Sequence, residues 1–217
     1  MFNKSSHILR HTSALKALVL TCLVLTGFIG TSYAADVARG EQLAQTCLGC
    51  HGAPGLRNPG PVFQIPMVGG QHAEYIVSAL QAYKNETRPH ATMRAQAASL
   101  SDQDMQDIAA FFAAMDGNSR PTLANKSLVA KGEQKAAACA VCHGKTGDGP
   151  SSDFPKLAGQ YASYLSHSLK EYRSGVRENI IMAGQSQNLT AEDIKALAAY
   201  FASQDGGLSA PQSQIFK

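Results

Sequence analysis

Two short motifs, CLGCH at 47–51 and CAVCH at 139–143, each place two thiols and an imidazole within five residues. The Cys-x-x-Cys-His pattern is the attachment signal for a c-type haem, in which both thiols bond to the haem and the histidine becomes the proximal iron ligand. Such a histidine binds iron through Nε2 while Nδ1–H donates to a backbone carbonyl. A zinc site or a thioredoxin-like motif would use the same residues, but the latter needs a βαβ setting that the sequence lacks. We therefore predict two covalently bound haem c groups, attached at Cys47, Cys50, Cys139 and Cys142, with His51 and His143 as proximal ligands.

Most of the chain after residue 34 consists of two copies of one unit. At an offset of 92, ARGEQLAQTCLGCHG (38–52) matches AKGEQKAAACAVCHG (130–144), and an offset of 89 relates most of the remainder, from 60–114 to 149–203. The three-residue difference falls in the loop after each haem histidine. We predict a signal peptide at 1–34, an N-terminal domain at 35–118, a linker at 119–127 and a C-terminal domain at 128–217.

The periodicity predicts three helices in each unit. The first contains Gly40 or Gly132 and runs into the haem motif, and the second covers about 72–84 or 161–173. The third starts at a capping box and carries an apolar stripe at i, i+3, i+4 and i+7. No strand pattern competes, so the predicted fold is all-α, with two tandem haem-binding domains. A helix-interior glycine is costly, and a close crossing of the first and third helices would explain it.

A methionine opposite the histidine gives a closed, six-coordinate iron that is suited to electron transfer. Among the methionines after residue 34, only Met93 and Met182 correspond to each other in the repeat. They follow the haem histidines by 42 and 39 residues, in stretches without helical periodicity. We predict that both are distal iron ligands, each held by a loop. Bis-histidine ligation is the alternative, but His72, His90 and His167 do not recur in both units.

Two further pairs recur close to these methionines. Arg88 and Arg177 precede them by five residues, and Tyr83 and Tyr172 by ten. Haem propionates are carboxylates that need hydrogen-bond donors of this kind. We predict these four residues as propionate donors, with a solvated surface charge as the alternative for each arginine.

The first 34 residues have the features of an export signal. Three basic residues and no acids accompany an apolar run at 17–30, and Ser32 and Ala34 supply the small residues of a cleavage site. Retention of the run as a membrane anchor is the alternative. Removing those three of the 19 basic residues leaves 16 against 16 acids, which argues against a nucleic-acid partner.

The tandem motifs, the FPKLAGQ segment (154–160) and the LTAEDIKALAAYF helix (189–201) resemble the cytochrome c4 family of two-domain dihaem electron carriers. The resemblance implies that Pro66 and Pro155 own the carbonyls that accept from the proximal histidines, although a plain turn role is the alternative for each proline. It also implies two domains packed with pseudo-twofold symmetry.

As a function, the resemblance implies electron transport in the bacterial periplasm rather than enzymatic catalysis. The expected redox partners are a quinol-oxidising complex upstream and a membrane terminal oxidase downstream, and peripheral association with the inner membrane is left open. The alternative is the electron-accepting dihaem subunit of a periplasmic dehydrogenase, such as the flavoprotein that oxidises sulfide. A dihaem peroxidase is disfavoured, because its iron needs an open position and each unit carries its own matching methionine.

Overall fold

The computed structural model of the chain describes residues 34–117 and 125–210. Nearly all of the predicted signal peptide and most of the predicted linker lie outside these ranges. Inside them, no helix combines the length and the apolar character that crossing a bilayer requires.

The N-terminal half (residues 35–117) has five short helices and one small hairpin. In chain order they are α1 (Val37–Leu43), α2 (Gln45–His51), β1 (Arg57–Pro59), β2 (Val62–Gln64), α3 (Ala73–Lys84), α4 (Ala91–Ala98) and α5 (Asp102–Ala113). The C-terminal half (residues 125–210) repeats the helices as α6 (Lys126–Lys135), α7 (Ala137–His143), α8 (Ala162–Ser174), α9 (Ile180–Ser186) and α10 (Ala191–Ala202). The all-α prediction is confirmed.

The prediction of three helices per unit is wrong in two respects. The first helix is interrupted at a buried alanine, Ala44 or Ala136, whose ψ is close to zero, so that the haem motif occupies a separate short helix. The stretch before the last helix also forms a helix, α4 or α9, which has no apolar stripe by which the sequence could predict it. The haem-motif helix and the helix α4 or α9 are both too short to have a long periodic apolar face, which is the signal that predicts longer helices.

The hairpin was not predicted either. It is antiparallel, with Arg57 opposite Gln64 and Pro59 opposite Val62, and it lies in the loop after His51. This is the loop that has three more residues in the first unit than in the second. Within residues 144–161 of the C-terminal half, no strand takes its place.

Each half is built around a close crossing of its first and last helices. A Cβ atom on Gly40 would lie 2.0 Å from the carbonyl oxygen of Asp107 in α5, and one on Gly132 would lie 2.1 Å from that of Ala196 in α10. Glycine is needed at both positions because only a hydrogen atom fits there. The last helices begin at capping boxes, in which Ser101 pairs with Asp104 and Thr190 with Asp193, as predicted.

The two halves are joined by reciprocal contacts between equivalent residues. The Gln71 side chain binds the main chain of Lys156, accepting from its N–H at 2.9 Å and donating to its carbonyl at 3.1 Å. Gln160, the equivalent of Gln71, binds the main chain of Met67 in the same way, at 3.0 and 2.9 Å. Because Met67 and Lys156 are themselves equivalent, these contacts have the pseudo-twofold symmetry that the resemblance implies.

Candidate haem-binding sites

The predicted proximal histidine of each half is the last residue of a short helix that also carries both cysteines of its motif. Residues at i, i+3 and i+4 share one helix face, so α2 presents Cys47, Cys50 and His51 together. The equivalent residues end α7, namely Cys139, Cys142 and His143. These four cysteines form no disulfide with one another, and their thiols remain available for covalent attachment.

Both imidazoles are oriented by a proline carbonyl. Nδ1 of His51 lies 2.8 Å from the carbonyl oxygen of Pro66, and Nδ1 of His143 lies 2.9 Å from that of Pro155. A carbonyl only accepts, so Nδ1 must carry the proton, and Nε2 is left as the unprotonated nitrogen. Burial lowers the pKa of both rings, which outweighs the opposite effect of the carbonyl and keeps them neutral. A neutral imidazole with Nε2 free is the form that binds a metal ion.

Met93 and Met182 occupy equivalent places, each as the third residue of a short helix. The N–H of Met93 donates to Nδ1 of His90 at 3.3 Å, and the N–H of Met182 donates to Oδ1 of Asn179 at 2.9 Å. Both side chains are half-buried, and Met93 packs against the apolar core of its half. The prediction that a loop carries these methionines is therefore wrong, because capped helices carry them.

His90 and Asn179 are residues that the sequence reasoning undervalued. They are equivalent in the repeat but differ in type, so comparing identities discarded them. Both are side-chain acceptors at an N-cap, a position that favours short polar groups. Their shared property as acceptors, rather than their identity, would have revealed the two helices.

The two predicted propionate arginines are buried, which excludes the alternative that they are solvated surface charges. Arg88 is 6 % exposed and Arg177 is 7 % exposed. Each guanidinium lies over the ring of the predicted tyrosine of its own half, at 4.4 Å from the centroid of Tyr83 or of Tyr172. The structure therefore brings each predicted arginine and tyrosine into direct contact.

Neither arginine forms an ion pair with a carboxylate of the described residues. A guanidinium has five donor hydrogens, and a buried charge without a counter-ion is strongly unfavourable. Two buried cations without a carboxylate partner therefore call for two anionic groups that the described carboxylates do not supply. The carboxylates of a bound haem meet that requirement, so the residues present fit the group that the cysteine motifs indicate.

Each arginine also donates to a tyrosine of the opposite half. Nη2 of Arg88 donates to the hydroxyl of Tyr164 at 2.6 Å, and Nη2 of Arg177 donates to that of Tyr75 at 3.2 Å. Burial acts to raise the pKa of Tyr75, but the two nearby guanidiniums outweigh it and lower this pKa to about 7. The sequence reasoning did not single out either tyrosine, although they recur at the offset of 89.

Comparison with known proteins identifies the group to which the chain belongs. The sequence profile of the family described as cytochrome c matches residues 37–116 and 129–205. The chain is 34% identical over 198 residues to cytochrome c4 of Pseudomonas aeruginosa, with 84% of this chain and 96% of that protein covered. It is 31% identical over 173 residues to the thiosulfate dehydrogenase electron acceptor of Stutzerimonas stutzeri, with 73% and 79% covered.

A solved structure gives the same result. The crystal structure of reduced recombinant cytochrome c4 from Pseudomonas stutzeri superposes with a TM-score of 0.68 and 32% identity, covering 79% of this chain and all of that one. Duplicated haem motifs, a reciprocal interface and these similarities agree. The chain belongs to the cytochrome c family and, within it, to the cytochromes c4, dihaem electron carriers with two covalently bound haem c groups.

Proposed function

We propose that the protein carries electrons through two His/Met-ligated haems, one in each half. Cys47 and Cys50 attach the first haem, and His51 and Met93 hold its iron; the second haem has the equivalent residues Cys139, Cys142, His143 and Met182. The neutral, Pro-oriented imidazoles and the recurrence of the two methionines support this assignment. When bound, haem c supplies a one-electron couple between ferric and ferrous iron.

The residues around each site keep the iron ligands in position and balance the charge of the propionates. The Pro66 and Pro155 carbonyls fix the imidazole rings, and the capped helices α4 and α9 fix the methionines. Arg88 and Arg177 neutralise propionates in a buried environment, while Tyr83 and Tyr172 support the guanidiniums. A site that keeps the same geometry in both oxidation states needs little rearrangement when an electron arrives.

The observation that carries the proposal is the meeting of both arginine sites at one interface. Arg88 and Arg177 each reach across to the other half, so the two arginines that would hold the propionates lie at one contact between the halves. This arrangement favours electron exchange within one molecule.

For its biological setting, we propose export to the periplasm through the signal at 1–34 and transfer of electrons from a quinol-oxidising complex to a membrane terminal oxidase. Transient docking of low affinity suits such encounters. A second candidate, acceptor of electrons from a periplasmic dehydrogenase, is favoured by the similarity to the thiosulfate dehydrogenase electron acceptor. In that case a tightly bound dehydrogenase subunit should copurify, and its substrate should reduce the haems.

The ligand assignment is tested by Met93→Ala and Met182→Ala. The ferric protein should show a weak charge-transfer band from methionine bound to iron, and each variant should lose about half of its intensity. Met115→Leu is the matched control, because Met115 is half-buried but corresponds to Gln204 in the second half. Full band intensity in either alanine variant would show that the methionine concerned is not a ligand.

The choice between the two settings is tested by mixing the oxidised protein with purified candidate donors under anaerobic conditions. Reduction by a quinol-oxidising complex within milliseconds, with no response to a dehydrogenase and its substrate, supports the respiratory shuttle. The reverse pattern supports the dehydrogenase acceptor and refutes the shuttle.

A further inference from the structure

The two buried arginines are held in the same way by their own halves. The N–H of Arg88 donates to the carbonyl of Ala82 at 3.1 Å, and that of Arg177 donates to the equivalent carbonyl of Glu171 at 3.2 Å. The stacking distances to the tyrosine rings are also equal, 4.4 Å in each case. Contacts within a half therefore do not distinguish the two sites.

The hydroxyl that binds each guanidinium, in contrast, comes from the other half. Tyr164 lies in α8 of the C-terminal half and accepts from Arg88, and Tyr75 lies in α3 of the N-terminal half and accepts from Arg177. Arg88 and Arg177 are separated from these tyrosines by 76 and 102 residues in sequence. The contacts are crossed, and each joins a buried guanidinium to the hydroxyl of a half-buried tyrosine.

We propose that Tyr75 and Tyr164 are crossed positioning residues: each holds the propionate-binding arginine of the opposite half, and so each sets the reduction potential of the haem in the half to which it does not belong. The proposal rests on the proposed function, because it takes Arg88 and Arg177 as the propionate partners. It goes beyond it by assigning a role in tuning to two residues outside both haem motifs.

The physical reason is that the position of a buried cation changes the electrostatic potential at the iron. A guanidinium near the propionates favours the reduced haem, whose net charge is one unit more negative. Without its tyrosine partner the guanidinium loses the hydrogen bond that holds it, so that it can move and water can enter beside it. The ferric state then becomes more favourable, and the potential of that haem falls.

The two contacts differ in strength, which makes the expected effect unequal. The Arg88–Tyr164 distance of 2.6 Å is that of a strong hydrogen bond, whereas the Arg177–Tyr75 distance of 3.2 Å is at the long end of the range. Tyr164→Phe should therefore shift the N-terminal haem more than Tyr75→Phe shifts the C-terminal haem. For Tyr164→Phe we expect about a threefold to tenfold change in the redox equilibrium constant, and a tenfold change corresponds to about 59 mV for one electron.

The test is a redox titration of the intact dihaem protein, followed by nuclear magnetic resonance. It is carried out about two pH units below 7, so that the Tyr75 hydroxyl, whose pKa is lowered to about 7, stays neutral and its loss removes no charge. The two haems are told apart by their contacts to Leu48 and to Ala140, residues between the attachment cysteines, so the assignment does not depend on the methionine ligands. Tyr164→Phe should lower the potential of the haem attached at Cys47, and Tyr75→Phe that of the haem attached at Cys139. A larger shift of the haem in the mutated half, or no shift of either, would overturn the proposal.

Tyr161→Phe is the matched control. The Tyr161 hydroxyl also makes a bond between the halves, accepting from the N–H of Gly55 at 2.9 Å, but no hydrogen bond joins it to either arginine. This variant should leave both potentials unchanged. An equal shift in Tyr161→Phe would attribute the effect to a loosened interface and would refute a positioning role.

Arg88→Met separates failure of this proposal from failure of the proposed function, because it removes the charge and every donor at this position. If Arg88→Met shifts the N-terminal haem and Tyr164→Phe does not, Arg88 acts on the haem without help from Tyr164, and only the crossed positioning is wrong. If Arg88→Met also leaves the potential unchanged, the propionate assignment is wrong and both fall. In the supported case, Tyr164→Phe adds no further shift in an Arg88→Met background, because the guanidinium that Tyr164 holds is then absent.

Discussion

The crossing of α6 and α10 at Gly132 allows a quantitative prediction for Gly132→Ala. The added Cβ would lie 2.1 Å from the carbonyl oxygen of Ala196, 2.6 Å from Cβ of Tyr200 and 2.7 Å from the carbonyl carbon of Ala196. These neighbours are backbone atoms or the first side-chain atom of a helical residue. None of them can rotate away, so the two helices must separate.

The magnitude follows from the size of that separation. Reaching an ordinary contact of 3.4 Å from 2.1 Å requires a shift of about 1.3 Å along that contact. Overpacking of this kind costs about 1–3 kcal/mol and sometimes more. Alanine regains about 1 kcal/mol through its higher helix propensity. The clash is with backbone atoms, and Leu197 and Phe201 of α10 belong to the core of this half, so the overpacking cost should lie at the upper end of its range. After the gain in propensity, we expect a net loss of about 2 kcal/mol in the free energy of unfolding.

The measurement is urea unfolding of the holoprotein, followed by far-ultraviolet circular dichroism. Gly184→Ala is the matched control, because Gly184 lies inside α9 with no neighbouring atom within 4 Å of its Cβ position and corresponds to Ala95 in the first half. It should gain about 0.5–1 kcal/mol from propensity alone. A Gly132→Ala protein as stable as the wild type would refute the steric explanation for this glycine.

Two further predictions concern pH and the interface. Hydrogen bonds from Ser101, with a further one from Arg39, lower the pKa of Asp104 from 3.8 to about 2. A carboxyl whose pKa is lowered in the folded state stabilises the fold at pH values above its unfolded pKa. This contribution should therefore vanish as the pH falls from about 4 to 2, and it should be missing in Asp104→Asn. The measurement is the urea midpoint of each protein as a function of pH. Gln160→Ala should cost about 2–4 kcal/mol, because it leaves the buried N–H and carbonyl of Met67 without partners, and a loss below about 0.5 kcal/mol in the same urea assay would contradict that reading.

Internal repetition made much of the site predictable from one sequence. The offset of 89 selected Met93 and Met182 as ligand candidates from the five methionines after residue 34, and it selected the arginine and tyrosine pairs that the structure brings into contact. The last helices could be predicted in detail, since a capping box and an apolar stripe are local signals. In the structure, these helices begin directly after Ser101 and Thr190.

The parts that could not be predicted depend on contacts made at a distance or on single-residue caps. Helices α4 and α9 have no clear apolar face, and an N-cap acceptor in the turn before Met93 or Met182 fixes their start. The crossed bonds of Tyr75 and Tyr164 join residues far apart in sequence, so the relative placement of the halves determines them. Ala44, at which the first helix is interrupted, is fully buried in the core of its half, and a residue as common as alanine does not signal such an interruption.

The reciprocal interface has a consequence for how the two sites can differ. Gln71 and Gln160 each bind the main chain of a loop in the opposite half. The same pair of contacts would also hold together a symmetric dimer of a single-haem chain. In such a dimer, every substitution appears on both sides and the two irons remain equivalent. Covalent fusion of the two copies removes that restriction. Glu178 already shows the result: its N–H donates to the carbonyl of Thr87 at 2.8 Å, whereas its counterpart, Pro89, has no N–H to donate in return. Divergence of this kind can make the two irons unequal acceptors and give the electron a preferred direction inside one molecule.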